Sequence, residues 1–316
     1  MLLAGGLLAL AGPANAGSAC TDQTGRRVAV PDDPQRVVCL APSLTETVFA
    51  LEQGQRVVGV SQFSDYPARA AGLPRVGSYV RPDLERILAR KPDLCLAVKD
   101  GNPRQVVQRL EQFGIPVYAF APYSLGQVLD MVQRLGRLLD CPKRAQELHG
   151  TLTQSIMQAQ TRAAVADDRP RVLYLAGLAP FVGVGGDTYL HELITAAGGI
   201  NVTASFAGYP RLGQEDILRF APDVVLVPDM GGRKRALEAK AQLQKWPNLP
   251  AVAQNRIYTL DADTFNRPGP RLARALDVLS ALLYPSEEPF QVERYVLRRL
   301  PELTQTPGHN SPILSH

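Results

Sequence analysis

The sequence predicts a two-lobed α/β protein: two Rossmann-like lobes with central parallel sheets, joined by one long rigid α-helix. Three observations predict this. "DLERILARKPDLCLA" (residues 83–97) returns 130 residues later as "GQEDILRFAPDVVLV" (213–227), and from Tyr79 and Tyr209 onward eight of eighteen positions agree without a gap. Short, nearly continuous apolar runs alternate with helical patterns, as parallel strands covered on both faces require. Between the two copies, from Ser124 to about Ala166, there is no strand signal.

In chain order, "MLLAGGLLALAGPANA" is sixteen uncharged residues ending in Ala-Asn-Ala. An apolar run closed by A-x-A predicts a cleaved secretory signal, and it is too short to span a bilayer. It lacks Lys or Arg ahead of the apolar run, which a start a few residues upstream would supply. After a polar lead-in, "RVVCLA" (36–41) and "RVVGVS" (56–61) read as strands with a helix between them. The helix from Asp83 leads into "DLCLAV", and a helix over Pro103–Phe113 leads into "VYAFAP". "SLGQVLDMVQRLGRLLD" is an amphipathic helix stopped at Cys141-Pro142, and Lys143 to about Ala166 is a second, rod-like one of roughly 36 Å. "RVLYLA" (171–176) then restarts the pattern, followed by a glycine-rich turn "VGVGGD", the helix "TYLHELITAAGG", the repeated "EDILRF", the strands "DVVLVP" and "RIYTLDAD", and a closing helix "RLARALDVLSALLY". The expected divisions are a signal peptide (1–16), an N-terminal lobe (27–141), a connecting helix (142–167), a C-terminal lobe (168–285) and a peripheral, partly disordered C-terminal segment (286–316).

Composition excludes several function classes. With 45% hydrophobic and 20% charged residues, the chain is that of a soluble globular protein. Its net charge of +4 is interspersed, without the basic stripe of a nucleic-acid binder. Four cysteines (Cys20, Cys39, Cys95, Cys141) in an exported chain permit three full pairings. Cys39 and Cys95 fall inside expected buried strands, where a thiol packs as a small hydrophobe. No C-x-x-C or Cys/His cluster suggests a metal or cofactor. G-x-S-x-G, H-E-x-x-H and the Walker A lysine motif are all missing, so an extracellular enzyme on this frame is the weakest reading.

Two lobes on a stiff connector leave a cleft, where ligands of such proteins sit. Tyr79 and Tyr209 each lie six residues before a glutamate, Glu85 or Glu215, in a loop entering a helix. Loops of this kind line the crevice of α/β sheets, so the tyrosines are expected to face each other across it. A glutamate in a first helical turn also complements the helix dipole, by about 0.3–1 kcal/mol.

These residues carry a family resemblance over roughly Arg27 to Tyr284. "RVVCLAPSLTETVFAL", "VGVSQFSDYP", "DLERILARKPDLCLA", "GDTYLHELITAAGGINV", "EDILRFAPDVVLV" and "DADTFNRPGPRLARAL" occur in order. Together they resemble the periplasmic substrate-binding proteins of ABC importers for vitamin B12, haem and ferric siderophores (class III), and among these the cobalamin-binding proteins. The resemblance implies a periplasmic, monomeric, non-catalytic carrier of a corrinoid, either vitamin B12 or a precursor such as cobinamide. Its implied partner is an inner-membrane permease dimer with cytoplasmic ATPase subunits, docked through Glu85 and Glu215. Phe63, Tyr66, Tyr79, Phe181, Tyr209 and Phe265 match or approximate the family's aromatic ligand positions, with Phe63 and Tyr66 unranked. Asp263 and Arg267 resemble the polar pair that meets the ligand's fringe or lower base. Tryptophans of the family are tyrosine at 79 and 209 and valine at 98, and a further aromatic position is Thr264; the only tryptophan, Trp246, lies outside these motifs. Haem, taken by an axial tyrosine, or a ferric siderophore, gripped by Arg81, Arg211 and Arg267, is the alternative ligand. Cys20 raises a lipid anchor, but "GSAC" lacks the aliphatic residue expected three positions before it.

Overall fold

The computed structural model describes residues 18–229 and 232–285. The expected signal peptide and the C-terminal segment 286–316 lie outside the described residues.

The N-terminal lobe opens with a hairpin, β1 (Ser18–Thr21) against β2 (Arg27–Val30). It begins before the expected lobe boundary and stands where the sequence offered only a polar lead-in. Its turn is built on Asp22, which accepts bonds from the backbone N–H groups of Thr24 and Arg26. There follow β3 (Val37–Cys39), α1 (Pro42–Ala50), β4 (Val57–Val60), α2 (Ala68–Ala71), α3 (Leu84–Ala89), β5 (Leu94–Val98), α4 (Arg104–Gln112) and β6 (Val117–Phe120). The sheet runs β4-β3-β5-β6, all parallel. Its β3, β5 and β6 strands are apolar runs buried on both faces, with Tyr118 and Phe120 among them, as helices on either side demand.

Two helices then cross between the lobes: α5 (Leu125–Leu138), started by Ser124 accepting from Gln127 N–H, and α6 (Pro142–Ala164), started by a proline in its first turn. The 23 residues of α6 make a rod of about 35 Å.

The second lobe comprises β7 (Arg171–Tyr174), β8 (Gly177–Leu178), β9 (Phe181–Val182), α7 (Tyr189–Ala196), β10 (Ile200–Asn201), β11 (Arg211–Leu212), α8 (Gln214–Phe220), β12 (Val224–Pro228), α9 (Arg233–Leu243), α10 (Pro250–Ala253), β13 (Ile257–Leu260), α11 (Ala262–Phe265) and α12 (Leu272–Leu283). Its main sheet runs β10-β7-β12-β13, again all parallel, and a small antiparallel sheet β11-β9-β8 flanks it. β12 lies 130 residues after β5, so the sequence repeat is a repeat of central strands and the helices that feed them.

Alternate residues of each sheet serve different cores. Val38, Leu40, Cys95 and Ala97 pack outward under α3 and α4, while Leu173, Val225 and Val227 pack outward under α8 and α9. The other faces join one continuous core that includes Cys39, Leu94 and Phe120 of the first lobe, Val172, Tyr174 and Leu226 of the second, and the buried stripes of α5, α6, α7 and α12. The lobes therefore share an interior through the connector. Cys39 and Cys95 point to opposite faces of their sheet, which rules out a bridge between them, and all four cysteines are free thiols. Burial pushes the Cys39 thiol up to about 12 and raises Cys95 as well.

Candidate functional site: an interlobe aromatic cleft and two docking carboxylates

The site is built from loops at the C-terminal ends of the parallel strands, where open α/β sheets place ligands. Tyr79 enters from the loop before α3. Asn102, nearly buried, donates from Nδ2 to the Tyr79 carbonyl at 2.6 Å and to the Leu40 carbonyl at 3.1 Å. Its Oδ1 accepts from Val98 N–H at 2.7 Å, so one side chain ties the tyrosine loop to the ends of β3 and β5. The Tyr79 ring lies on the backbone of Gly101, whose φ of +134° favours glycine. A Cβ there would come within 2.5 Å of the ring.

Tyr209 is held differently. Its loop lies along the glycine-rich turn, with Gly183 N–H donating to Pro210 O (2.9 Å), Gly185 N–H to Gly208 O (2.7 Å) and Gly186 N–H to Phe206 O (2.9 Å). Gly208 N–H donates to Asp187 Oδ1 at 2.6 Å. A Cβ on Gly185 would run into the Phe206 carbonyl. That close approach is what "VGVGGD" provides, beyond the tight turn that the sequence alone suggests.

The rings stand open, Tyr79 being 38% and Tyr209 56% exposed. Surrounding protein raises the Tyr209 phenol above the ordinary tyrosine range, helped by Asp100 of the first lobe, Asp187 of its own and the ionisable Tyr79. A third ring, Tyr123, follows β6 and donates its hydroxyl to Asp100 Oδ1 at 2.9 Å, with Lys99 Nζ 5.8 Å from the ring centroid. Burial and Asp100 push its phenol up to about 12, with a smaller contribution from Tyr209. The two lobes thus bring Tyr79, Tyr123 and Tyr209 into one electrostatic neighbourhood. Phe63 and Tyr66, both 52% exposed, lie in the loop after β4.

Three expected ligand residues are turned into the core or into ion pairs. Phe265 is 0% exposed, because the short α11 turns it into the shared core. Phe181 is 9% exposed, since the β9–β11 pairing sets it opposite Leu212 in the second-lobe core. Arg267 is spent on holding the lobes together. Its guanidinium reaches Glu46 Oε1 at 2.9 Å and Asp65 Oδ1 at 3.1 Å in the first lobe, and Asp263 Oδ1 at 2.5 Å in its own. Arg271 joins the same buried Glu46 at 2.6 Å and stacks 5.0 Å over the Tyr66 ring. Asp263 keeps exposed surface, and burial holds its carboxyl above the usual range despite Arg267.

Glu85 and Glu215 are both exposed, in the first turns of α3 and α8. Neither makes an ion pair among the described residues, because neighbouring acids do the local work. Asp83 caps α3 by accepting from Arg86 N–H and pairs with the Arg86 side chain, while Asp216 accepts from Gly213 N–H and pairs with Arg219. The dipole account of these glutamates is therefore weakened: other carboxylates already stand at both helix starts.

Sequence reasoning missed Tyr123, Asp100, Asn102, Asp187 and Glu46. The Asp-Gly turn that closes β5 was the available signal for Asp100 and Asn102. Two concavities lie away from the cleft: about 830 Å³ along α6 beside His149, Thr153 and Met157, and about 370 Å³ under the N-terminal hairpin beside Cys20 and Arg134. Neither gathers rings from both lobes. Among the described residues, no helix is long and apolar enough to cross a membrane, and no group of His, Cys, Asp and Glu is arranged to hold a metal.

Comparison with known proteins agrees with this architecture. The vitamin B12-binding protein of Vibrio parahaemolyticus is 30% identical over 244 residues, 77% of this chain and 86% of the relative. That of Photorhabdus laumondii is 31% identical over 78% of this chain and 86% of the relative. Among solved structures, the apo periplasmic heme-binding protein RhuT from Roseiflexus sp. RS-1 superposes with a TM-score of 0.72 at 30% identity, covering 79% of this chain and 98% of that one. The periplasmic vitamin B12-binding protein BtuF of Vibrio cholerae gives 0.69 at 29%, covering 80% and 98%. Residues 37–264 match the family described as periplasmic binding protein, and with two parallel-sheet lobes on a helical connector the chain belongs to that family.

Proposed function

We propose that the protein is a non-catalytic, monomeric extracytoplasmic carrier that takes a corrinoid, vitamin B12 or a precursor such as cobinamide, between its lobes and delivers it to an ABC permease. The observation that carries this reading is the convergence of Tyr79 and Tyr209, exposed rings from corresponding loops of the two lobes, joined by Tyr123. Flat rings bury large area at small entropic cost, which suits a broad corrin disc. The relatives named vitamin B12-binding protein support it.

The neighbours named heme-binding keep a second ligand in view. A ferric porphyrin would take an axial tyrosinate. Surrounding protein, Asp100 and Asp187 raise the Tyr209 phenol, and burial and Asp100 raise that of Tyr123, so either costs more to ionise than a free tyrosine. Of the three arginines expected to meet anionic groups, Arg267 is committed to Glu46, Asp65 and Asp263, while Arg81 and Arg211 stand exposed. The raised phenols favour a ligand that needs no phenolate. Calorimetric titration with cyanocobalamin, cobinamide and hemin tests the reading. Saturable one-to-one corrinoid binding at micromolar or tighter supports it, and heat from hemin alone overturns it.

Delivery rests on Glu85 and Glu215, which present to a two-fold permease, whose ATPase subunits act in the cytoplasm, one carboxylate per lobe that has no ion pair among the described residues. Glu85→Ala with Glu215→Ala should abolish uptake in a reconstituted importer while ligand affinity stays within a few-fold. Parallel loss of binding would remove the docking role.

A further inference from the structure

The corrinoid reading leaves open how the cleft tells one flat macrocycle from another, and the Asp100–Tyr123 pair supplies an answer. Tyr123 has donated its only proton to Asp100 Oδ1. Toward the cleft, its oxygen therefore offers lone pairs, and the ionised Asp100 offers only acceptors. Asp187, from the opposite lobe, spends one oxygen on Gly208 N–H and is exposed with the other. Asp100 precedes Gly101, which supports the Tyr79 ring, and Asp187 binds Gly208 next to Tyr209, so the aspartates flank the two cleft rings and both act on the Tyr209 phenol. Lys99 Nζ lies 5.8 Å from the Tyr123 ring centroid.

We propose that Asp100, oriented by Tyr123 and faced by Asp187, discriminates amide from carboxylate at the ligand's fringe. A primary amide brings N–H donors that these acceptors require. A carboxylate brings only acceptors and a negative charge, so it meets unmatched lone pairs and repulsion together. Sites built to hydrogen-bond one group reject analogues lacking it far more strongly than apolar pockets can. This inference rests on the corrinoid reading, because a corrin edge is fringed with primary amides whereas a porphyrin carries propionates. It explains why the cleft of a chain with net charge +4 presents acids at its rings.

The test compares cyanocobalamin with its three monocarboxylate isomers, each made by hydrolysing one propionamide. At low salt at least one isomer should bind about tenfold or more weakly than the parent. The gap should shrink with salt and fall below about threefold in Asp100→Asn, whose side chain is exposed and leaves the fold intact. Tyr123→Phe should narrow it in the same direction. Equal affinity for all three isomers and the parent, or an undiminished gap in Asp100→Asn, overturns the inference. If no corrinoid binds, hemin and its bis-propionamide provide the same contrast. Preference for the bis-amide would keep the discriminator and remove the corrinoid, whereas hemin bound as tightly as its bis-amide would remove both.

Discussion

The two tyrosine loops occupy the same place in the repeat and are secured by unrelated means. Tyr79 hangs from one buried amide side chain, Asn102, and rests on Gly101. Tyr209 is zipped by backbone bonds onto Gly183, Gly185 and Gly186, with Asp187 closing the end. What recurs is the ring that is shown to the cleft and the helix that follows. The support beneath has diverged, so equivalent substitutions in the two lobes should not have equivalent effects.

The largest effect is expected at Glu46, which ties α1 to the second lobe by binding Arg267 and Arg271. Removing one partner of a buried charge cluster strands the others, and Glu46→Ala should cost about 3–5 kcal/mol in urea denaturation, with ligand affinity reduced as the interlobe contact loosens. Next, Gly185→Ala should displace the Tyr209 loop, at about 1–3 kcal/mol of stability, and weaken corrinoid binding by about tenfold in calorimetry. Asn102→Ala acts on the other loop. It leaves a buried N–H and two carbonyls without their partner and should cost about 1–3 kcal/mol, with the Tyr79 side of the cleft loosened in hydrogen exchange. The smallest effect is in alkali. Tyr209 should ionise above the ordinary tyrosine range in a site-resolved NMR titration. The folded chain keeps that proton where the unfolded chain has lost it, so stability falls as pH rises through this window, and Tyr209→Phe should flatten the fall.

Much of this fold is legible in the sequence because its signals are local. The β3, β5 and β12 runs are short and apolar throughout, and α6 lacks breakers other than Gly150 for its whole length. The exposed tyrosines were legible because a repeat preserved them. The rest depends on contacts far apart in sequence. Glu46 and Arg267 are 221 residues apart, and neither residue's neighbours announce the other. Phe265 sits in a polar stretch that reads as a ligand-facing loop, yet one turn of α11 is enough to send it inward. The N-terminal hairpin was hidden because its four-residue strands carry no continuous apolar run, and its turn depends on what Asp22 accepts rather than on glycine alone.

The interior that runs from the first sheet through α5, α6 and α12 into the second has a consequence for traffic. A body without a slack joint has nearly the same outline full or empty. On the docking reading, vacant carriers then compete with laden ones for the same permease, and cargo must announce itself at the mouth of the cleft. Uptake in such a system should respond to the ratio of laden to vacant carrier rather than to the laden form alone, and an excess of empty protein should act as a brake.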